Sequence, residues 1–293
     1  MPADVIAFYG LLVVWAALLV LAVRRKRFEA FLAFGLGLMV LLNLRYFLTG
    51  QPAGIRFFIG LYDTFDNLGL RRGQGAPALA PCDGNACTVW DARYTYHPSW
   101  GVAFYDRFVD PPVLRKALLY VHIAFNSAAL LFMHVQLARP GLGERRRRHV
   151  VLGRVTFGVL TIGTVAAVVL ASEHGAVPDY GGLWAETGFY SMSAVVYGTA
   201  VLGVLAARRG DAATHRVWMI RSLGALWGAF WLFRVMLVVT GPLLRGHNTA
   251  SLLLSIWLSA PLGALVADRA AHALAARRAA VPGTDQETVR PAR

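Results

Sequence analysis

The sequence predicts an all-α polytopic membrane protein: a transmembrane helical bundle of seven spans, N-terminus out and C-terminus in. Composition is the first reason. Hydrophobic residues fill 57% of 293 positions and charged residues only 15%, where a soluble domain carries about a quarter charged. Spacing is the second, because apolar runs recur at close to the roughly 20 residues that a bilayer core requires. The third is the placing of arginine, which gathers in alternate short loops as an orientation signal does.

The expected spans are residues 5–23, 30–49, 114–138, 150–172, 187–207, 217–240 and 251–271. The first lacks a basic leader and ends in Arg24-Arg25-Lys26-Arg27 with no small-residue cleavage site, so it reads as an uncleaved span. Arg139, Arg145 to Arg148, Arg208-Arg209 and Arg277-Arg278 fall on the same side as this cluster. That side is the cytoplasm, and the chain is expected in an inner membrane. The loops 173–186 and 241–250 share one arginine, Arg245. The net charge of +13 is therefore a topology signal; no separate basic domain with interleaved aromatics points to nucleic acid.

The chain divides into four regions. Residues 1–49 hold two helices, 50–113 an extracytoplasmic segment, 114–240 a four-helix core, and 241–293 the last helix and a cytoplasmic tail. The exported segment contains the two cysteines, Cys82 and Cys87, around Asp83-Gly84-Asn85. That is turn chemistry, and a short disulfide is expected between them. Tyr94, Tyr96, Trp100, Phe104, Tyr105 and Phe108 suit a cap at the outer interface, or more sharply a substrate-binding cap. Gly153, Gly158 and Gly163 in the fourth span, and Gly188, Gly198 and Gly203 in the fifth, predict close packing inside the bundle. Pro261 is expected to kink the seventh.

Two stretches carry the chemistry. Arg145-Arg146-Arg147-Arg148-His149-Val150-Val151-Leu152-Gly153-Arg154 opens the fourth span, and His215-Arg216-Val217-Trp218-Met219-Ile220-Arg221 opens the sixth. Each sets a histidine at the foot of an apolar run and an arginine inside it. Such an arginine is costly unless paired, and the two spans run the same way, so one shared site is expected. In the third span His122, Asn126 and Gln136 share a face at about 100° per residue and should face the bundle. Two layers result. The inner one holds His149, His215, Arg154 and Arg221, with His134 and Gln136. The outer one holds His122, Arg234 and Arg45, with His174.

Layered histidines suit haem b, with neutral imidazole on the iron and arginine on the propionates. On this expectation His149 and His215 ligate an inner haem, His122 serves an outer haem or a quinone, and Arg154, Arg221 and Arg234 neutralise the anion. His174 is a doubtful partner for His122, lying roughly 10 Å nearer the outside by helix rise. His134, His149 and His215 could converge on a metal, yet no carboxylate or His-x-x-x-His spacing joins them. The plainer reading has these cations snorkel to anionic headgroups. No nucleophile or phosphate-loop motif assigns a catalytic residue. Carboxylates are nearly absent from the spans, which weakens a transporter reading. The alternative is a non-enzymatic binding or assembly protein holding a lipid or a partner subunit, such as a respiratory protein.

The order His122…Gln136…His149-x-x-x-Gly153-Arg154…His215-Arg216-x-Trp218-Met219-Ile220-Arg221…Arg234 resembles a family of bacterial predicted membrane proteins catalogued as a domain of unknown function. The resemblance runs over about residues 120–239 and implies a multi-pass bacterial membrane protein. A looser similarity to two-haem membrane cytochromes b rests on histidine layering.

Overall fold

The computed structural model describes residues 3–25, 29–49, 113–138, 146–172, 181–244 and 248–279. They form α1 (Ala3–Arg25), α2 (Glu29–Thr49), α3 (Val113–Ala138), α4 (Arg146–Ala171), α5 (Gly182–Arg208), α6 (Ala212–Trp227), a π turn (Gly228–Leu232), α7 (Phe233–Leu243) and α8 (Asn248–Ala279). No strand occurs among the described residues. The expected Cys82–Cys87 pairing, the rest of the segment 50–112 and the tail beyond 279 lie outside them.

Five helices are long and apolar enough to cross a membrane: Val113–Leu137, Arg146–Ala171, Gly182–Arg208, Ala212–Gly241 and Ala250–His272. Helix α1 adds the shorter apolar stretch Tyr9–Ala22. Val155, Ile162, Val165 and Val169 of α4 and Leu265 and Val266 of α8 point outward. Water would penalise such an apolar exterior; acyl chains accept it.

Because lipid is as apolar as leucine, what brings these helices together is close fit and polar contact. The core is accordingly built on small and medium side chains. Ala129 and Leu130 of α3, Leu160 of α4, Ala200 of α5, Ala225 of α6 and Ala260 of α8 meet there, with Met39 of α2. The tightest crossing joins α6 to α8. A Cβ on Gly228 would overlap the carbonyl oxygen of Ser259, and one on Gly263 would overlap that of Gly224. Gly224-x-x-x-Gly228 and Ser259-x-x-x-Gly263 thus put backbone on backbone.

The glycines of α4 and α5 serve different neighbours. Gly163 and Gly153 face Asn126 and Gln136 of α3, Gly188 faces Ile256 and Trp257 of α8, and Gly203 faces Met219 of α6. Gly158 and Gly198 have nothing within 4 Å. Between α4 and α5 the contact is aromatic and polar instead: Phe157 stacks on Tyr197 at 5.4 Å, and the hydroxyls of Thr161 and Tyr197 are 3.1 Å apart. Helix α8 runs unbroken past Pro261, which is exposed.

A tight turn joins α5 to α6. Gly210 takes φ 77°, open to glycine at little cost, and Asp211 caps α6 by accepting the Thr214 N–H at 2.9 Å. Hydrogen bonds from the Thr214 side chain and backbone hold the Asp211 carboxyl below its ordinary range. A depressed carboxylate pKa contributes stability above the unfolded value and loses it as pH falls through the folded one. Asp211→Asn should keep the cap and remove this acid sensitivity, read as amide exchange at Thr214 between neutral pH and about pH 3.

The glycine crossing makes a second prediction. Gly228→Ala should lower stability in detergent by about 1–3 kcal/mol, the range for overpacking, whereas Gly158→Ala should be neutral or slightly stabilising. Thermal unfolding of both variants measures the difference.

Candidate functional site

His149 and His215 are each the fourth residue of their helices, α4 and α6. Matching position gives them matching depth, and their rings meet edge to face at 6.3 Å and 85°. His215 Nδ1 lies 2.8 Å from the carbonyl oxygen of Gly203 in the last turns of α5. Glycine makes this reach short: Met219, one turn beyond His215, packs where a Cβ on residue 203 would come within 2.7 Å of its sulfur. With Nδ1–H donated to that carbonyl, the His215 lone pair is on Nε2. His149 Nδ1 is buried and has no hydrogen-bond partner. Such an orphan costs about 1–3 kcal/mol, so the pair is the place in the inner layer where a ligand would relieve a cost.

The surroundings are cationic. Arg146, Arg147, Arg148 and Arg216 are exposed beside the two histidines. The arginines deeper in the spans turn elsewhere. Arg154 is five residues beyond His149, about 140° round the helix, and it is exposed. Arg221 is six beyond His215, about 120° round. Its Nε donates to Asp268 Oδ1 of α8 at 2.9 Å, and its guanidinium lies 4.7 Å from the Trp218 ring centre. Asp268 Oδ2 is also 3.7 Å from His272 Nδ1.

The remaining inner residues are held inside the bundle. His134 Nδ1 lies 2.7 Å from the Leu130 carbonyl oxygen, and its Nε2 accepts from Trp227 Nε1 at 3.0 Å. With both nitrogens engaged, His134 ties α3 to α6 and offers a metal no lone pair. Gln136 Nε2 donates to Thr156 Oγ1 at 2.7 Å, joining α3 to α4. Among the described residues no three metal-ligating side chains converge, so His134, His149 and His215 are not one cluster.

In the outer layer His122 Nδ1 lies 3.2 Å from the Gly163 carbonyl oxygen and 3.0 Å from Asn126 Nδ2. Gly163 has to be small, because a Cβ there would meet Asn126 Oδ1 at 2.7 Å. Arg234 is the second residue after the π turn. Its Nη1 donates to the Phe230 carbonyl, and its guanidinium lies 4.6 Å from the Phe230 ring centre. The π turn sets that direction: one extra residue in the turn rotates α7 by roughly the 100° of one helical step. The side chain of Arg45, and all of His174, lie outside the described residues.

The profile of a family described as "Predicted membrane protein (DUF2306)" matches residues 119–269. The chain belongs to this family. No curated protein matches it, and no solved structure does. The DUF2306 stretch takes in every side chain described above from His122 to Asp268, while α1, α2 and the cysteine segment lie before it.

Three features were not anticipated. One is Asp268 as the partner of Arg221; it is an acid at matching depth on the last span, and depth alone could have paired them. Another is Trp227 as the donor to His134, for which an indole near mid-span was the only signal. The third is the contact of Asn43 with Ser127 at 2.5 Å, which draws α2 onto α3.

Two predictions test these assignments. A double-mutant cycle on Arg221→Ala and Asp268→Ala should give a coupling of about 0.5–1 kcal/mol, as the pair is partly open to solvent. His134→Phe should destabilise the bundle by about 1–3 kcal/mol, since Trp227 and the Leu130 carbonyl lose a partner. Denaturant titration in detergent measures both.

Proposed function

We propose that the protein is a seven-span protein of the bacterial cytoplasmic membrane, N-terminus outside and C-terminus inside, that holds a b-type haem through His149 and His215 and serves redox-linked electron transfer. The observation that carries this is the edge-to-face contact of the two rings at 6.3 Å. It joins two imidazoles of equal depth, one with its Nδ1 tied to a backbone carbonyl and the other with a buried, unpartnered nitrogen. A metal-bound histidine is normally oriented by a bond of this kind from its other nitrogen.

Charge separates haem from a bare metal ion. A free dication would be repelled by Arg146, Arg147, Arg148 and Arg216. Haem brings two propionates that the same guanidiniums attract. When bound it supplies an iron that carries one electron, while the chain holds and orients it. Helix α1, with its apolar stretch Tyr9–Ala22, and the largely apolar α2 are the two further spans of this reading. The exposed arginines at the joins of α3–α4 and α5–α6 support a cytoplasmic placing of those joins.

A second reading is favoured by the exposure of Arg154 together with Arg146 to Arg148. A cationic rim facing outward also suits an anionic lipid or an acidic partner subunit, and the protein would then be an assembly factor.

One preparation separates the two. Full-length protein, expressed with ample haem and purified, should show a Soret band and a reduced-minus-oxidised difference band. His149→Ala and His215→Ala should each remove the bands while helical circular dichroism and elution volume stay unchanged. A colourless wild-type protein would sink the haem reading; a copurifying subunit without chromophore would favour the assembly reading.

A further inference from the structure

The geometry points to a quinone site in the outer half of the bundle, in which His122 Nε2 holds the headgroup oxygen of a quinone or of its hydroquinone. The argument begins with His122 Nδ1. That atom stands between an acceptor, the Gly163 carbonyl oxygen at 3.2 Å, and a donor, Asn126 Nδ2 at 3.0 Å. With a proton on Nδ1 the carbonyl accepts it; with Nδ1 bare the amide donates to it. Each neutral tautomer therefore has a partner already in place. Nε2 takes part in neither bond, so it can present a lone pair in one tautomer and an N–H in the other.

Few ligands need both. An anion only accepts, and an ammonium only donates. A quinone oxygen accepts as a carbonyl and donates as a hydroxyl once reduced, so one imidazole that changes tautomer serves both redox forms. The surroundings suit the rest of such a molecule. His122 and Asn126 are only partly buried on α3, in a span whose outer surface meets acyl chains.

The proposal does not depend on His149 and His215, and its test reads binding whether or not haem is present. Full-length protein in nanodiscs is titrated with decylubiquinone and, separately, with decylubiquinol, and quenching of tryptophan fluorescence is monitored; Trp227 and Trp231 lie in and beside the neighbouring π turn. Wild type should bind both forms. His122→Leu should weaken both by about tenfold or more, the loss of a hydrogen bond in an apolar setting. Asn126→Ala should be selective. It removes the partner of the bare-Nδ1 tautomer and leaves Nε2 an acceptor, so the hydroquinone should bind as before while the quinone weakens about tenfold. Absence of saturable quenching in wild type overturns the proposal. So does an unchanged His122→Leu, an Asn126→Ala that weakens both forms alike, or a site that responds to phosphatidylglycerol in the nanodisc and to neither probe.

Discussion

A bilayer offers no hydrogen-bond partners, and the arrangement of this bundle is a consequence. A polar side chain that enters a span must find its partner on another helix or on its own backbone. Gln136 finds Thr156, His134 finds Trp227, Arg221 finds Asp268 and Asn43 finds Ser127. Thr240 and Ser251 close the α7–α8 corner at 2.6 Å. Each of these bonds is also a statement about which helices are neighbours. Where the demand is unmet it stands out: His149 Nδ1 is buried without a partner, and it touches the other histidine at its own depth. Satisfied polar groups build the fold; among the described residues His149 Nδ1 and Ser259 Oγ are buried without a hydrogen-bond partner.

Close approach does the remaining work. Hydrophobic burial does little between helices already surrounded by hydrocarbon, so contact depends on how near backbones can come. At Gly224, Gly228 and Gly263 they come as near as backbones do. At Gly203 the same absence of a side chain has a chemical result, since it exposes a carbonyl to His215. One residue type thus serves packing in one place and the orientation of an imidazole in another.

Much of this was legible in the chain. The repeated pattern of histidine at the foot of a span located the inner pair, because equal position in two parallel helices means equal depth. The stripe His122–Asn126–Gln136 faces α4, as helical periodicity requires. What stayed hidden depends on pairs of helices together. Arg154 and Arg221 share a span with a histidine without sharing its face, and Arg221 has its carboxylate forty-seven residues away on α8. Glycine counts draw attention to α4 and α5, yet a count says nothing of what lies opposite; Gly158 and Gly198 meet no neighbour, while the shorter Gly224-x-x-x-Gly228 signal forms the tightest seam. The π turn has no signature of its own; it begins at Gly228, where the chain lies close to the Ser259 carbonyl.

That turn makes the sixth span a crank. Up to its first residue, Gly224 and Gly228 are aimed at α8; beyond it, the phase is advanced by one residue, Phe233 meets Phe189 of α5 and Arg234 lies over the Phe230 ring. A single helix of uniform pitch could have met only one of these partners with the same residues. The surplus residue therefore lets one rod present two independent faces, and it ties the seating of the last helix to the direction of a charge on the far side of the membrane.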